Sequence, residues 1–302
     1  KGMEMEKTYV AGVDGGGTKT ALACLNPDGT LLSRLTLGPF NLNSIGEEGF
    51  SAILKEITAF LREQGRCEAI CIGAAGSSNP EMRKLVSQAM QAAEIPCWEL
   101  VGDCETALYG ALVGAPGCAL VAGTGSVCFG RNAEGKTARA GGWGHLLGDE
   151  GSGYALGRDA LTAVARWHDG YGESTGLTEA LAKKKNLRTR EEMIAYVYGG
   201  DKSRIAALAP LVEAQAAAGD PVSCRILEEN AAALVRLVEA VTHRLHITDR
   251  EVALLGGLLT SDTGLRRAFR DQLGRVEPAL RCVAPKEPPE IGAALMALEL
   301  VK

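Results

Sequence analysis

The sequence predicts an α/β protein built from two similar halves. Three observations carry this prediction. A group of three short apolar strands, typical of an antiparallel meander, occurs near the start of the chain and again after residue 117. In each group a Gly-rich turn follows the first strand, and helical patterns and further strands follow the third. With 302 residues, the chain is long enough for two modest domains.

The first half alternates strands and helices after its opening meander. Asn26–Gly29 (NPDG) separates the second and third strands and has the composition of a tight turn. Asn79 followed by Pro80 is a typical helix start, with Asn as the N-cap. The predicted elements are, in order, strands Tyr9–Asp14, Thr20–Leu25 and Leu31–Leu37, helix Glu47–Gln64, strand Ala69–Ala74, helix Pro80–Ala93, strand Cys97–Val101 and helix Asp103–Val113.

The second half repeats this order around a long helical stretch. From Asp149 to about Leu245 the chain is predicted to be mostly helical, with breaks near Gly170–Gly176, Gly199-Gly200 and Gly219–Pro221. Apolar helices within 203–245 are compatible with a homodimer face and equally with a core position. The other predicted elements are strands Cys118–Ala122, Val127–Arg131 and Thr137–Ala140, strand Glu251–Leu255, helix Thr263–Leu273, strand Ala279–Val283 and helix Pro289–Leu300.

Composition and charge exclude several classes of partner. The net charge is −5, from 32 Lys and Arg against 37 Asp and Glu, which argues against nucleic acid and anionic membranes as partners. No apolar stretch reaches the roughly 18 residues of a membrane helix. The nine cysteines lie mostly in apolar strand-like runs, without the spacing of a zinc site. These features predict a protein of the reducing cytoplasm.

Three consecutive glycines follow the first predicted strand, in the segment Asp14–Thr20 (DGGGTKT). Glycines at a strand–turn–strand junction let backbone N–H groups converge on a phosphate, and a carboxylate at the strand end can bind Mg²⁺ directly or through water. The alternative is a tight hairpin turn without a ligand. The segment is neither a Walker A loop nor a Rossmann fingerprint. The residues predicted to bind nucleotide here are Asp14, Gly15, Gly16, Gly17, Thr18 and Lys19, with Asp14 as the metal ligand.

A second Gly-rich turn, Gly123-Thr124-Gly125-Ser126, stands at the same place in the second meander. Two such turns are stronger evidence than one, because two hairpins can hold a polyphosphate from both sides. Gly256-Gly257 follows a later strand, and its glycines allow a flat ring to approach the backbone. The alternative for this pair is an ordinary turn at a helix start.

The segment Gly141–Gly157 (GGWGHLLGDEGSGYALG) is unusually rich in glycine. Its small residues and backbone amides allow a ligand to approach the backbone closely, and Asp149 or Glu150 can accept hydrogen bonds from paired hydroxyls. His145 is more typical of a partly buried structural histidine than of a catalytic one.

The order of these motifs along nearly the whole chain resembles the N-acetylglucosamine kinases and their relatives, the BadF/BadG-type ATPase family. That resemblance implies the fold of the actin/hexokinase/Hsp70 superfamily, with duplicated ribonuclease H-like domains and a central nucleotide cleft. It implies one domain of residues 1–112 with 288–302 and another of 113–287. It also implies ATP and Mg²⁺ as cofactors and a small-molecule sugar as the partner.

The resemblance also suggests a role for each motif. Asp14–Lys19 and Gly123–Ser126 are similar to the two phosphate motifs, Gly256-Gly257 to the adenosine motif, and Pro289–Ala297 to the helix that closes the first domain. Asp103 corresponds to the acid that accepts the proton of the attacking hydroxyl, although its local sequence also suits a helix N-cap. The family's sugar contacts correspond to Asn41, Ser77, Asp103, Gly142, Trp143 and Asp149.

The expected activity is therefore ATP-dependent phosphorylation of an amino sugar such as N-acetylglucosamine, at the 6-hydroxyl. The alternatives are an ATPase that activates a dehydratase through an iron–sulfur cluster, a repressor–kinase relative of the ROK type, and a sugar or nucleotide sensor without catalysis. Only Cys128 lies near the place where the activators carry cluster ligands, and the zinc motif of the ROK type is missing. The motifs leave the identity of the sugar open.

Overall fold

Two five-stranded mixed sheets form the framework of the computed structural model, which describes residues 7–302. The described residues up to Ala115 together with Pro285–Lys302 form unit 1, and Pro116–Ala284 forms unit 2. Residues 1–6 of the first predicted domain lie outside the described residues.

Unit 1 contains the first sheet, whose strands are β1 (Thr8–Gly15), β2 (Thr20–Leu25), β3 (Leu31–Leu37), β4 (Arg66–Ala74) and β5 (Cys97–Val101). Their order in the sheet is β3-β2-β1-β4-β5. The first three strands pair antiparallel, as the predicted meander requires, while β4 and β5 run parallel to β1. The intervening helices are α1 (Leu42–Gln64), α2 (Pro80–Ala92) and α3 (Asp103–Leu112).

Unit 2 repeats this topology. Its strands are β6 (Gly117–Ala122), β7 (Ser126–Arg131), β8 (Thr137–Gly141), β9 (Glu251–Leu255) and β10 (Arg281–Val283). The order β10-β9-β6-β7-β8, read from the other edge, matches that of the first sheet, again with three antiparallel strands followed by two parallel ones. The predicted duplication is therefore confirmed by strand topology.

The helical part of unit 2 is more finely divided than predicted. Its helices are α4 (Gly153–His168), α5 (Gly176–Lys185), α6 (Arg190–Tyr198), α7 (Lys202–Ala206), α8 (Ala209–Ala217), α9 (Pro221–Leu245), α10 (Gly257–Thr260) and α11 (Gly264–Val276). Two breaks were not predicted. One follows α5 at Asn186, which adopts a left-handed conformation at the helix end, and the other separates α7 from α8. None of the helices formed by residues 7–302 is long and apolar enough to span a bilayer.

The apolar side of α9 belongs to the core of unit 2. Its buried side chains, including Ile226, Leu234 and Val238, pack with Leu120 of β6 and Leu156 of α4. The apolar residues within 203–245 were compatible with a homodimer face or with the core. Those of α9 lie in the core.

The last helix, α12 (Pro289–Glu299), packs on one face of the first sheet and against α3. A Cβ atom at Gly12 of β1 would lie 2.0 Å from the backbone nitrogen of Ala294, and one at Gly292 would lie 2.2 Å from the carbonyl oxygen of Thr106. The α12 helix therefore approaches both β1 and α3 at distances that only glycine permits. On the opposite face, alternate β1 residues such as Tyr9 and Val13 pack with α1 and α2.

Helix α1 begins five residues before its predicted start. Asn41 caps it, since its side-chain oxygen accepts a hydrogen bond from the Asn43 N–H at 3.0 Å. Gly46, with φ of 70°, interrupts the helical backbone between this first turn and the periodic apolar segment. The apolar spacing reveals only the second part, because the break at Gly46 separates Leu42 and Ile45 from the later apolar residues.

Candidate functional site

The first Gly-rich turn is the tip of the β1–β2 hairpin. Gly15 pairs with Thr20, and the Gly16 N–H donates to the Lys19 carbonyl at 3.0 Å. Gly17, Thr18 and Lys19 are exposed. Among the residues that the structure describes, none accepts a hydrogen bond from the N–H groups of Gly17 and Thr18. These two donors are available to an anion.

The base of this hairpin is fixed by the segment that follows β3. The Phe40 N–H donates to the Gly16 carbonyl at 2.9 Å, and the Thr20 hydroxyl donates to the Gly38 carbonyl at 2.6 Å. A Cβ atom at Gly15 would lie 2.4 Å from the Phe40 ring, so the ring packs directly on the strand end. The tip therefore projects from a rigid base.

Asp14 is a half-buried carboxylate at the end of β1. Burial, together with the negative charges of Glu290 and Asp103, raises the pKa of Asp14 to about 6, while the positive charge of Lys19 opposes the change. The three carboxylates therefore belong to one electrostatic environment. Glu290 could not be predicted as a neighbour of Asp14, because only the packing of α12 on β1 brings the start of that helix to this strand.

Asp103 is the first residue of α3 and is exposed. The alternative that it serves as the helix N-cap is wrong, because Gly102 occupies that position and Glu105 completes the capping box by accepting the Gly102 N–H at 3.1 Å. One Asp103 oxygen accepts a hydrogen bond from the Cys104 N–H at 2.9 Å. The carboxylate is therefore oriented by the helix start and open to solvent.

Two further residues predicted as sugar contacts lie in unit 1. Asn41 uses its side-chain oxygen to cap α1, which leaves its amide N–H groups as donors. Ser77 is half-buried in the turn between β4 and α2, where its N–H donates to the Ala74 carbonyl. Both residues follow strands of the first sheet, as Asp103 does, while Asp14 lies at the end of β1.

The second Gly-rich turn forms the tip of the β6–β7 hairpin. Ala122 pairs with Ser126, and the Gly123 N–H donates to the Gly125 carbonyl at 3.0 Å. The start of α4 holds this tip, since the Gly153 N–H donates to the Gly123 carbonyl at 2.7 Å. No acceptor in residues 7–302 pairs with the N–H groups of Thr124 and Gly125.

Ser126 has an internal role at this hairpin. Its hydroxyl donates to the Glu150 carbonyl at 2.6 Å, its N–H donates to an Asp149 carboxylate oxygen at 3.2 Å, and its carbonyl accepts the Gly142 N–H at 2.9 Å. Ser126 therefore joins the hairpin to both ends of the Gly-rich segment. The predicted contact between Ser126 and nucleotide would need groups that are already paired.

Asp149 lies against the hairpin. It is 3% exposed, and its carboxylate lies so close to Gly125 that a Cβ atom there would be 2.8 Å from Oδ1. Its backbone is left-handed, with φ of 65°. The adjacent Glu150 is exposed, with its side chain open to solvent.

The loop before Asp149 exposes several apolar side chains. Gly141, Gly142 and Gly144 all have positive φ values, and the Arg139 side chain donates to the Gly142 carbonyl at 2.8 Å. Trp143 is 74% exposed, and the loop also exposes Leu146 and Leu147. His145 is half-buried against the Tyr154 ring, with 4.9 Å between the ring centroids, which agrees with the structural role predicted for it.

The Gly256-Gly257 turn joins β9 to the short helix α10. Gly256 has φ of 82°, and a Cβ atom there would lie 2.3 Å from the Ala122 carbonyl oxygen at the base of the second hairpin. Gly257 faces open space. The turn therefore approaches the hairpin closely and leaves room for a ligand beside Gly257.

The Asp14 carboxylate and the nearby hairpin N–H groups suit a magnesium ion bound together with phosphate, rather than a metal ion held by protein side chains alone. Residues 7–302 contain no group of three or more His, Cys, Asp or Glu side chains that could hold a metal ion. Magnesium often keeps several waters and is bound by one or two carboxylates plus substrate phosphates. Asp14 at a hairpin with unpaired N–H groups fits that pattern. Cys128, considered above as a cluster ligand, is buried in the core of unit 2.

Comparison with known proteins gives concordant matches. The profile of the BadF/BadG/BcrA/BcrD ATPase family matches residues 11–297. An N-acetylmuramic acid/N-acetylglucosamine kinase of Clostridium acetobutylicum is 36% identical over 299 residues, covering 96% of this chain and 98% of that protein. An N-acetyl-D-glucosamine kinase of Dictyostelium discoideum is 31% identical, covering 99% of this chain and 100% of that protein.

A solved structure shares the fold. A provisionally named N-acetylglucosamine kinase from Chromobacterium violaceum superposes with a TM-score of 0.72 at 31% identity, covering 96% of this chain and 98% of that one.

Proposed function

Because this chain belongs to the BadF/BadG/BcrA/BcrD ATPase family, we propose that it is an ATP-dependent kinase that phosphorylates an amino sugar such as N-acetylglucosamine. The observation that carries the proposal is the pair of Gly-rich hairpins at the same topological position in the two sheets, each with unpaired N–H groups at its tip. The names of two relatives over 30% identical along nearly the whole chain support an amino sugar as the substrate.

In this proposal each unit contributes one phosphate-binding hairpin. The hairpin of unit 1, from Gly15 to Lys19, and that of unit 2, from Gly123 to Gly125, bind the phosphates through backbone N–H groups. Gly257 provides space for the adenosine. Asp14 holds Mg²⁺, which neutralises phosphate charge when bound. A cation there would also offset the burial of the Asp14 carboxylate and its repulsion by Glu290 and Asp103, which together raise the pKa of Asp14.

Asp103 is the proposed general base toward the 6-hydroxyl of the sugar. Phosphoryl transfer depends mainly on positioning and on stabilisation of charge, so one correctly placed carboxylate is sufficient to accept the hydroxyl proton. The Cys104 N–H occupies one carboxylate oxygen of Asp103, which leaves lone pairs on the other for the substrate. The exposed side chain is accessible to a ligand from solvent.

Sugar recognition is assigned to residues from both units. Asn41 and Ser77 in unit 1, and Gly142, Trp143 and Glu150 in unit 2, offer amide, hydroxyl, backbone, aromatic and carboxylate groups. Asp149 remains a sugar contact in this proposal through Oδ2, for which residues 7–302 provide no hydrogen-bond donor.

The decisive experiment measures ATP turnover with a panel of amino sugars and without sugar. We expect turnover only in the presence of a sugar, with N-acetylglucosamine, N-acetylmuramic acid, N-acetylmannosamine and glucosamine as the first compounds tested. Phosphorus NMR of the product then identifies the phosphorylated oxygen. Equal ATP hydrolysis with and without every sugar would favour an ATPase of the dehydratase-activator type instead.

A further inference from the structure

The Asp149 carboxylate is buried but incompletely satisfied. Oδ1 accepts the Ser126 N–H at 3.2 Å. Oδ2 is buried and has no hydrogen-bond donor among residues 7–302. Its nearest cationic group is the Lys202 ammonium, whose Nζ atom is 3.6 Å from Oδ2, longer than a hydrogen bond. Because a buried charge is costly unless it is paired, Oδ2 depends on the Lys202 ammonium as its counter-ion.

The position of Lys202 is fixed by close helix packing. Lys202 is the first residue of α7, and a Cβ atom at Gly157 of α4 would lie 2.0 Å from the Ile205 carbonyl oxygen of α7. The N–H groups at the start of α4 donate to the second hairpin, from Gly153 to Gly123 and from Tyr154 to Thr124. The hairpin, α4 and α7 therefore form one packed group, with Lys202 at the same carboxylate that contacts Gly125.

The chemistry of this group favours a phosphate ligand. The hairpin offers the unpaired N–H groups of Thr124 and Gly125, and Lys202 adds an ammonium with three donors. The Lys202 side chain is 40% exposed, so its ammonium can reach a ligand from solvent.

We infer that Lys202 is a nucleotide-binding residue that contacts the ATP phosphates held by the second hairpin. Asp149 orients its ammonium toward the hairpin. This inference rests on the proposed function and extends the nucleotide site to a residue of the helical segment of unit 2. It gives Asp149 a second role, as the residue that positions a cation as well as a sugar contact.

The test is nucleotide binding by isothermal titration calorimetry, without sugar, for the full chain and three variants. The ligands are a non-hydrolysable ATP analogue, ADP and adenosine. For Lys202→Met we expect affinity for the ATP analogue to fall about 10- to 100-fold, as for the loss of a charged hydrogen bond. The affinity for adenosine should not change. Lys202→Arg should retain most of the affinity, because the charge remains. Lys184→Met is the matched control, since Lys184 is an exposed lysine of α5.

The three ligands separate the outcomes. Unchanged affinity of Lys202→Met for the ATP analogue, with binding by the wild type intact, would overturn this inference alone. An equal loss for adenosine and for the ATP analogue would also overturn it, because it would indicate a purely structural role. Failure of the wild type to bind any nucleotide would overturn both the inference and the proposed function.

Discussion

Asp14 and Asp103 are carboxylates at the ends of strands in one sheet, yet their surroundings differ. Asp14 is half-buried with a raised pKa, whereas Asp103 is exposed at a helix start. A buried, electrostatically strained carboxylate suits a cation, and an exposed, oriented one suits a proton transfer with a mobile substrate. The two local environments therefore support different proposed roles.

Asp103→Asn should reduce turnover while leaving the fold intact. General-base assistance contributes about 10²- to 10⁴-fold, so kcat should fall by that order. Affinity for the sugar should change much less, because an amide still forms a hydrogen bond with a hydroxyl. The helix cap is unaffected, since Gly102 and Glu105 provide it.

Steady-state kinetics and calorimetric sugar binding measure the two effects of Asp103→Asn separately. Asp28→Asn, in an exposed turn, is the control. Full activity of Asp103→Asn with every responsive sugar would refute the base assignment and leave Glu150 or Asp149 as the next candidate.

Asp14→Asn should stabilise the metal-free protein above pH 6. In the wild type the native state retains a proton on Asp14 up to about pH 6, whereas an unfolded Asp loses it near pH 4. The native state therefore binds more protons in this window, and the contribution of Asp14 to stability is lost as pH rises through 6. The asparagine variant avoids this loss, which is on the order of 3 kcal/mol.

Thermal unfolding of wild type and Asp14→Asn at pH 4 and pH 8, without divalent cations, measures this difference. The Tm of the variant should exceed that of the wild type at pH 8, and the two values should converge toward pH 4. Added Mg²⁺ with nucleotide should stabilise only the wild type. The same Tm difference at both pH values would contradict the electrostatic explanation.

The two hairpins are similar elements with different chemistry. The residue before the last paired position is Asp14 in β1 and Val121 in β6, so only the first hairpin carries a carboxylate at this place. The second is instead supported by Asp149 beneath it and by the start of α4. We expect the first hairpin to interact with the metal-bound phosphates and the second to bind phosphate by N–H groups and a cation.

Gly125→Ala should weaken nucleotide binding by deforming the second hairpin. The added Cβ atom would lie 2.8 Å from Asp149 Oδ1, so the hairpin or the carboxylate must shift and the Ser126 hydrogen bond is lost. We expect at least about tenfold weaker binding of an ATP analogue, the loss of roughly one good interaction. Gly274→Ala is the control, because a Cβ atom there meets nothing within 4 Å. Unchanged affinity of Gly125→Ala would show that this contact is not required.

The structure confirms most of the strands predicted from sequence. They were predictable because a short apolar run between Gly and Pro turns is visible in the local sequence. The strand β2, for example, has the predicted bounds Thr20–Leu25. The helix α10 was missed because four residues are too few to show an apolar period. The break at Asn186 was missed because no glycine or proline marks it. Glu290 and Lys202 could not be predicted as site residues, because their partners are 276 and 53 positions away in sequence, from Asp14 and Asp149 respectively.

At the scale of the whole molecule, unit 1 is assembled from two separate segments and unit 2 from one. The apolar residues of α12, including Ile291 and Ala294, cover Val10, Ala69 and Cys71 on one face of the first sheet. A chain that lacks residues 285–302 would leave this face bare. A fragment of residues 116–284 has its own sheet and its own apolar core.

Separate expression of residues 7–115 and of residues 116–284 tests whether unit 1, unlike unit 2, needs a distant segment of the chain in order to fold. We expect residues 116–284 to fold alone and to unfold cooperatively on heating. The segment up to residue 115 should aggregate or remain unfolded unless residues 285–302 are supplied. Circular dichroism and thermal unfolding of the purified fragments are sufficient, and a stable fold of residues 7–115 alone would refute the requirement for α12.

The return of the chain to unit 1 also has a consequence for biosynthesis. During translation, the first sheet emerges early but cannot bury its second face until α12 emerges. At about 5–20 residues per second, the wait lasts roughly 10 to 40 s, during which unit 2 has time to fold as a continuous segment. The half-finished sheet, with its exposed apolar face, is therefore the species that chaperones must protect. Mutations at the α12 contact, such as at Gly12 or Gly292, would then reduce the yield of folded protein even where the mature enzyme tolerates them.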